Sequence, residues 1–458
     1  MMDALIPSEE QAKAIKRIAS EKTRAALNGS TMGTGKTLKA VEVAKRLGSE
    51  TILLIAPLGT RLGWKVTFER QGVELPFRWI NSTKEGKSAL ADWEWQLPGI
   101  YFVGVEYFVR LGWNGKARTK TWTKLPDLVL FDEVHRSQNR NSKTFKTLKQ
   151  VKAGFKLAMS GTPTGNSFEG AWAVTKWLWP DQIPDSFHLW TEMWCKFEYD
   201  HFSPNGRRVS GETNPGAFFK SLPCYVRIES ELNVELDDQP IYVELSGRQR
   251  KAYNDLEKNM ITWIEGNPLV VEFPITLRTR LRQATLGMFT LDESGDVMFS
   301  EDCESSKIDA MLELLVSEWI DESALILTDS KKFANVVVER ISHVGKAAAW
   351  HGDVSQAERE RIKQQFMNGE IDYLVAVTSA IAEGVDGLQS ATRNILWLSR
   401  SDNRLLNEQA MARIHRRGQQ EVVRSREIIA VDTYDVGVLS SHVQKAIEMN
   451  KILKGKKE

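Results

Sequence analysis

Two short stretches near opposite ends of the chain constrain what lies between them. They are Met-Gly-Thr-Gly-Lys-Thr at Met32–Thr37 and Gln-Ala-Met-Ala-Arg-Ile-His-Arg-Arg-Gly-Gln at Gln409–Gln419. The small residues of the first (Gly33, Thr34, Gly35) let backbone N–H groups turn inward on phosphate oxygens. Lys36 can then meet the β- and γ-phosphates, and Thr37 offers a hydroxyl to Mg2+. A helix starting there adds its N-terminal dipole. The strict phosphate-loop pattern wants a glycine where this chain has Ser30, and Gly29 sits one place too early. The second stretch offers Arg413 and Arg416, which share one face of a helix expected over about 405–417. A planar guanidinium suits charge spread over a transferring phosphoryl group. A nucleotide site divided between distant parts of one chain points to two lobes that close on ATP.

The chain has 458 residues, too many for one ordinary core, so two or three domains are expected. It carries 61 basic against 60 acidic residues, so any nucleic-acid surface must be local. Such patches exist. Val134–Phe168 has no acidic residue but holds Lys143, Lys146, Lys149 and Lys152, a slowly drifting stripe if helical. Val109–Pro126 is also acid-free, and Arg278, Arg280 and Arg282 form a third cluster. Each cluster alone reads most simply as a solvated face; together they favour contact with phosphates. No apolar run reaches the ~20 residues that span a bilayer. No basic start precedes an apolar stretch, so a cytoplasmic location without a signal peptide is expected, in a bacterium or a virus's host. Cys195, Cys224 and Cys303 make neither a zinc pattern nor a disulfide framework.

Thr51–Pro57, Gly99–Val105, Leu128–Glu133 and Phe155–Ser160 are short apolar runs, with helical spacing at Lys36–Leu47. The pattern recurs at Ala324–Asp329, Lys346–Trp350, Tyr373–Val377, Asn394–Leu398 and Glu427–Val431, with a helical Gln356–Met367. Alternating strands and helices predict parallel sheets with crossover helices. The expected fold class is therefore α/β, with two tandem parallel-sheet lobes at 1–230 and 231–458 joined near Glu229–Pro240. Two helical insertions interrupt them. One, at about 164–223, is rich in tryptophans, which read more readily as core anchors than as base-stacking platforms. The other, at about 247–299, carries the arginine triplet.

Asp132-Glu133-Val134-His135 ends one of the apolar runs. An acid at the C-terminal edge of a strand can hold Mg2+ beside the phosphates, and a second acid beside it can orient and deprotonate water. Taken with the Gly-Lys-Thr loop, this pair assigns Asp132 to the metal and Glu133 to the water.

In this order the motifs resemble those of superfamily-two helicases, most closely the Snf branch of double-stranded DNA translocases, whose lobes are RecA-like. Met32–Thr37 resembles that branch's Met-Gly-Leu-Gly-Lys-Thr, with Ser30-Thr31 standing where Asp-Glu is usual. Ile55-Ala56-Pro57-Leu58 with Trp64 resembles its next motif. Asp132–Arg136 with Asn139 is similar to its Asp-Glu-x-His-Arg-x-x-Asn. Ser160-Gly161-Thr162-Pro163 with Asn166 is similar to its Thr-Gly-Thr-Pro-x-x-Asn. Ser306-Lys307 resembles the element opening the second lobe, and His351-Gly352 its His/Asp-Gly turn. Gln409–Gln419 closely resembles the last motif. Thr378–Leu388 departs from the branch: Gly387 replaces an asparagine, and Gly384-Val385-Asp386 looks like general superfamily-two helicases.

The resemblance implies a DNA-dependent ATPase using ATP and Mg2+, with duplex DNA as the favoured partner. Lys36, Glu133, Arg413 and Arg416 would be catalytic. Gln11 would read adenine, and Met32, Gly384 and Asp386 would join the nucleotide set. His135, Ser160, Gly161, Thr162 and Gln409 would couple hydrolysis to movement. Pro57, Thr60, Lys331, Gly352, Thr378 and Ser379 would meet nucleic acid. A monomer outside any membrane, with a protein partner for recruitment, fits this picture. The alternatives are a strand-separating helicase, the motor subunit of a restriction or nuclease complex, and an ATP-independent nucleic-acid scaffold.

Overall fold

Runs of four to six buried apolar residues cannot alternate faces as a half-exposed strand does, so they pair side by side with helices covering both faces. A computed structural model describes residues 4–20, 24–31, 33–165, 167–199, 206–229, 234–259, 261–264, 267–270, 274–292, 296–382 and 385–436. Met32, Asn166 and Gly384 lie outside the described residues. The chain divides into two compact units, with the boundary between Glu231 and Leu232.

The first unit holds a seven-stranded sheet. Its strands are β1 (Ala25–Asn28), β2 (Thr51–Ala56), β3 (Phe77–Ile80), β4 (Gly99–Gly104), β5 (Leu128–Asp132), β6 (Phe155–Met159) and β7 (Tyr225–Val226), in spatial order β7-β1-β6-β5-β2-β4-β3. Every neighbouring pair is parallel. Such pairs need crossover segments, and the chain ends of β1, β5 and β6 consequently emerge on one edge of the sheet. That edge is where open α/β sheets place ligands. The tryptophans of the insertion are anchors: Trp172, Trp177, Trp179 and Trp190 are buried. Trp190 meets Phe168 and Phe218 with ring centroids 5.4 and 5.2 Å apart. The insertion is not wholly helical, since Cys195–Tyr199 and Arg207–Glu212 pair as a hairpin.

The second unit holds six parallel strands: β8 (Leu236–Val243), β9 (Ala324–Thr328), β10 (Ala347–Trp350), β11 (Tyr373–Val377), β12 (Asn394–Trp397) and β13 (Val423–Ala430), in order β8-β13-β12-β9-β11-β10. The fold class is thus α/β with two parallel-sheet lobes. Lys307 is buried here, donating to Leu398 O at 2.6 Å and pairing with Asp435 at 2.6 Å.

The boundary between the units falls within Glu229–Pro240, and from Leu236 onward that stretch forms edge strand β8, paired along its length with β13. An edge strand tolerates polar residues and Pro240. The lysine stripe is not one helix: Lys143–Leu148 is helical, and Lys149 and Lys152 fall beyond it. Region 247–299 holds helices at Gly247–Asn259 and Pro274–Leu286 separated by a hairpin. The helix bearing the arginines ends early, at Met411 rather than near 417. Among the described residues no helix is long and apolar enough to cross a membrane.

Candidate nucleotide site

The loop after β1 is shaped by two glycines in the left-handed region, Gly33 at φ 73° and Gly35 at φ 71°. That backbone is open to glycine at little cost and strained for other residues. Gly35 precedes helix α2 (Lys36–Arg46) and provides no side-chain cap. The first amides of a helix have no acceptor within that helix, and an anion is a standard one for them. Lys36 Nζ donates to Ser30 O at 3.2 Å and Thr31 O at 3.3 Å, folding back over the loop. Thr34 closes the turn through its hydroxyl to Thr31 O at 2.7 Å.

Gln11 lies in helix α1 (Glu9–Ile18), where Ser8 and Gln11 form a reciprocal capping box. Its Nε2 also donates to Thr34 O at 2.9 Å. The glutamine expected to read adenine therefore also braces the phosphate loop from beneath. Sequence reasoning missed Lys39. It is fully buried under the loop and donates to Ser30 Oγ at 2.9 Å. Burial, with Lys36 close by, pulls its ammonium down to about 7. No signal in the sequence marks it, because a lysine on a helix reads as a solvated residue until the fold buries it.

At the end of β5, Asp132 accepts from Trp64 Nε1 at 3.2 Å and from the Glu133 amide at 3.1 Å. Burial pushes its carboxyl up to about 6; the neighbouring Glu133 adds to the rise, and Lys36 opposes it. A desolvated carboxylate facing a lysine is a fitting donor for a divalent cation. With the Thr37 hydroxyl, these residues suit Mg2+ bound to a triphosphate.

Glu133 has φ 54° and ψ 49°, a left-handed backbone on a residue with a long side chain. Such a conformation costs on the order of 1–3 kcal/mol and persists only where the surroundings enforce it. Here it turns the carboxylate to His135 Nδ1 at 3.1 Å. His135 Nδ1 also lies 3.0 Å from Ser160 Oγ, and Ser160 Oγ is 3.5 Å from Glu133 Oε2. The Thr162 amide donates to Ser160 Oγ at 3.1 Å. The structure therefore brings Glu133, His135, Ser160, Gly161 and Thr162 into one polar cluster beside Asp132.

In the second unit, helix α3 (Lys331–Ile341) begins at Lys331, whose Nζ pairs with Asp353 at 2.6 Å. Helix α4 (Arg404–Met411) carries buried Gln409. Beyond it the chain runs in turns. Arg413 folds inward, donating to Val385 O at 3.1 Å and to Ala382 O. Those carbonyl contacts and buried Ile414 are the physical reason the helix stops. Arg416 Nη1 meets Asp386 Oδ1 at 2.5 Å, and Arg413 approaches the same oxygen at 3.6 Å. Burial would raise the Asp386 carboxyl, but the Arg416 hydrogen bond and both guanidinium charges hold it below the ordinary carboxylate range. The two arginines are thus unequal. Arg413 is a brace of its own lobe, while Arg416 is held by a side chain that can release it.

The residues assigned to nucleic acid are spread over both lobes. Pro57 and Thr60 shape the turn after β2, with Thr60 Oγ1 donating to Pro57 O at 2.7 Å. The space beside the Gly352 α-carbon is open. Ser379 is exposed, whereas Thr378 is buried and donates to Thr328 O at 3.3 Å. Thr378 therefore shapes the turn from inside, a correction to its expected contact with nucleic acid.

Comparison with known proteins places this geometry in a family. A model of the SNF2-related domain matches residues 11–286, and one of the helicase conserved C-terminal domain matches residues 306–418. The chain belongs to the SNF2-related family. Among its relatives is the mouse chromodomain-helicase-DNA-binding protein 1-like, 22% identical over 93% of this chain and 47% of its own length. An uncharacterized ATP-dependent helicase of Mycoplasma genitalium is 23% identical over 92% of this chain and 40% of its own. The yeast ISWI chromatin-remodeling complex ATPase is 22% identical over 93% of this chain and 39% of its own. The chain thus spans less than half the length of these relatives. A solved Sulfolobus solfataricus SWI2/SNF2 ATPase core in complex with dsDNA aligns over 99% of this chain and 95% of its own, at 18% identity and a TM-score of 0.41.

Two outcomes follow from this geometry. Arg416→Ala should leave the melting temperature near wild type and cut ATP turnover by roughly 10³-fold or more. Arg413→Ala should lower the melting temperature itself, because it strips two carbonyls of their donor. Calorimetry beside a phosphate-release assay separates the two, and equal melting losses would contradict the assignment. Secondly, protonation of Asp132 should compete with Mg2+. The ratio of nucleotide affinities with and without Mg2+ should be full above about pH 7 and fall as pH drops through the raised value near 6. A ratio unchanged between pH 7.5 and 5.5 would contradict this.

Proposed function

We propose that this protein is an ATP-dependent translocase that couples ATP hydrolysis to movement along duplex DNA, or to remodelling of DNA and protein–DNA complexes. The observation that carries the reading is the Glu133 carboxylate, held by a left-handed backbone against His135 and Ser160 and next to Asp132.

In this reading the backbone amides at the start of α2 and Lys36 bind the triphosphate, and Gln11 holds the loop and recognises the base. Mg2+, held by Thr37 and Asp132, would neutralise charge on the β- and γ-phosphate oxygens. Glu133 accepts a proton from the attacking water, and His135 and Ser160 fix the direction of its carboxylate. Arg416 stabilises charge on the transferring phosphoryl group, while Arg413 holds the segment that presents it. Hydrolysis changes the hydrogen bonding of Glu133, and the Ser160–Thr162 segment, bonded to that carboxylate, moves with it. Support for duplex DNA comes from family membership and from the acid-free patches, which suit phosphate contacts.

A strand-separating helicase is the second reading, favoured by the Gly384-Val385-Asp386 pattern. ATPase rates measured side by side with duplex DNA, single strands, forks and RNA decide between them. The translocase reading expects duplex DNA to stimulate turnover at least tenfold, with the stimulation falling steeply as salt rises. Stimulation by forks alone, with unwinding, would favour the helicase. A rate indifferent to nucleic acid and salt would end both.

A further inference from the structure

One arginine outside every motif touches both halves of the first lobe's chemistry. Arg227 follows β7 and is only 12% exposed at its side chain. Its Nη1 donates to Gly29 O at 2.8 Å, at the entry to the phosphate loop, and reaches Gly161 O at 3.5 Å, in the segment bonded to Glu133. Its Nε pairs with Glu229 at 3.2 Å.

The surrounding backbone makes this more than a surface contact. β7 pairs with β1, and the pairing continues past both strands into the loop. The Gly29 amide donates to Val226 O at 2.8 Å, the Ile228 amide to Ser30 Oγ at 3.1 Å, and the Thr31 amide to Ile228 O at 3.0 Å. Ser30 Oγ simultaneously accepts from buried Lys39. The Tyr225 ring lies so close to Gly29 that a Cβ there would sit 2.5 Å from it and displace the ring. Residues 225–229 are therefore stitched to residues 29–31. The first segment of the first unit ends two residues later, at Glu231.

We propose that Arg227 is a positioning residue that ties the phosphate loop and the Ser160–Thr162 segment to the stretch of chain entering the second lobe, so that nucleotide state is passed to that stretch. A guanidinium suits this role because its rigid fork can hold two carbonyls from separate loops and a carboxylate at once, which an ammonium on a flexible stem does not reproduce. A shift of Gly29 or Gly161 on nucleotide binding or hydrolysis pulls on Arg227, and through the Ser30–Ile228 and Thr31–Ile228 bonds on the backbone leading out of the lobe. The proposal rests on the translocase reading for its purpose, but not for its geometry.

The test compares the 458-residue wild-type chain with Arg227→Lys and Arg227→Gln by hydrogen–deuterium exchange, with and without a non-hydrolysable ATP analogue and Mg2+. In wild type the nucleotide should slow exchange both at residues 29–37 and at residues 224–229. In the variants the slowing should persist at 29–37 and be lost at 224–229. Melting temperature should fall by only a few degrees, because lysine and glutamine each keep a donor for one of the two carbonyls, with nucleotide affinity within threefold and KM for ATP unchanged, while DNA-stimulated kcat falls at least tenfold. Equal slowing at 224–229 in wild type and both variants would overturn the proposal. So would a joint collapse of melting temperature, affinity and kcat in both variants, which would make Arg227 a fold anchor. A wild type that duplex DNA does not stimulate would count against the translocase reading alone, and the exchange comparison would still decide the role of Arg227.

Discussion

A carboxylate taken out of water at the end of a parallel strand, with a lysine charge opposing it, is the interaction on which the site depends. Asp132 is raised by burial and by Glu133, and Lys36 is the cation that offsets both. Lys36 is held by carbonyls of the loop after β1, and Asp132 by Trp64 and the Glu133 amide after β5. β6 lies between these two strands in the sheet, so the register of three parallel strands sets the spacing of the charges. Burying an ionised group is costly unless it is paired. The resulting electrostatic tension is suited to relief by a divalent cation and a triphosphate.

The same strand end carries the backbone strain. Glu133 adopts a conformation that its side chain disfavours, and His135, Ser160 and the Thr162 amide hold the result in place. Strain of this kind is tolerated in a lobe with a continuous apolar core running from Ile15 to Val226. The second lobe works differently. There Arg413 is fixed on the carbonyls of Val385 and Ala382, and Arg416 is held by the side chain of Asp386.

Much of this was legible in the residues. The central strands announced themselves as apolar runs, since a strand buried on both faces has no room for polar side chains. The loop glycines, the acid pair and the arginines were visible because their chemistry demands particular residue types at close spacing. What escaped was set by tertiary context. β3 and β8 are edge strands whose polar residues mask the pattern, and β7 is only two residues long. The helix before Arg413 should have continued by its local spacing; the inward pull of Ala382 and Val385 ended it. Lys39 and Arg227 are charged residues that only the fold turns into internal struts, and no local sequence signal distinguishes them from surface lysines and arginines. Lys149 and Lys152 show the converse, a convincing spacing that the helix does not honour.

The central claim is that the strained Glu133 carboxylate activates water in a site that binds the nucleotide without it. Single-turnover hydrolysis by Glu133→Gln, with Mg-ATP affinity measured on the same preparation, addresses it directly. The account predicts affinity within a few-fold of wild type and hydrolysis slower by roughly 10²–10⁴-fold, the usual contribution of a positioned base. Hydrolysis within tenfold of wild type at unchanged affinity would contradict it.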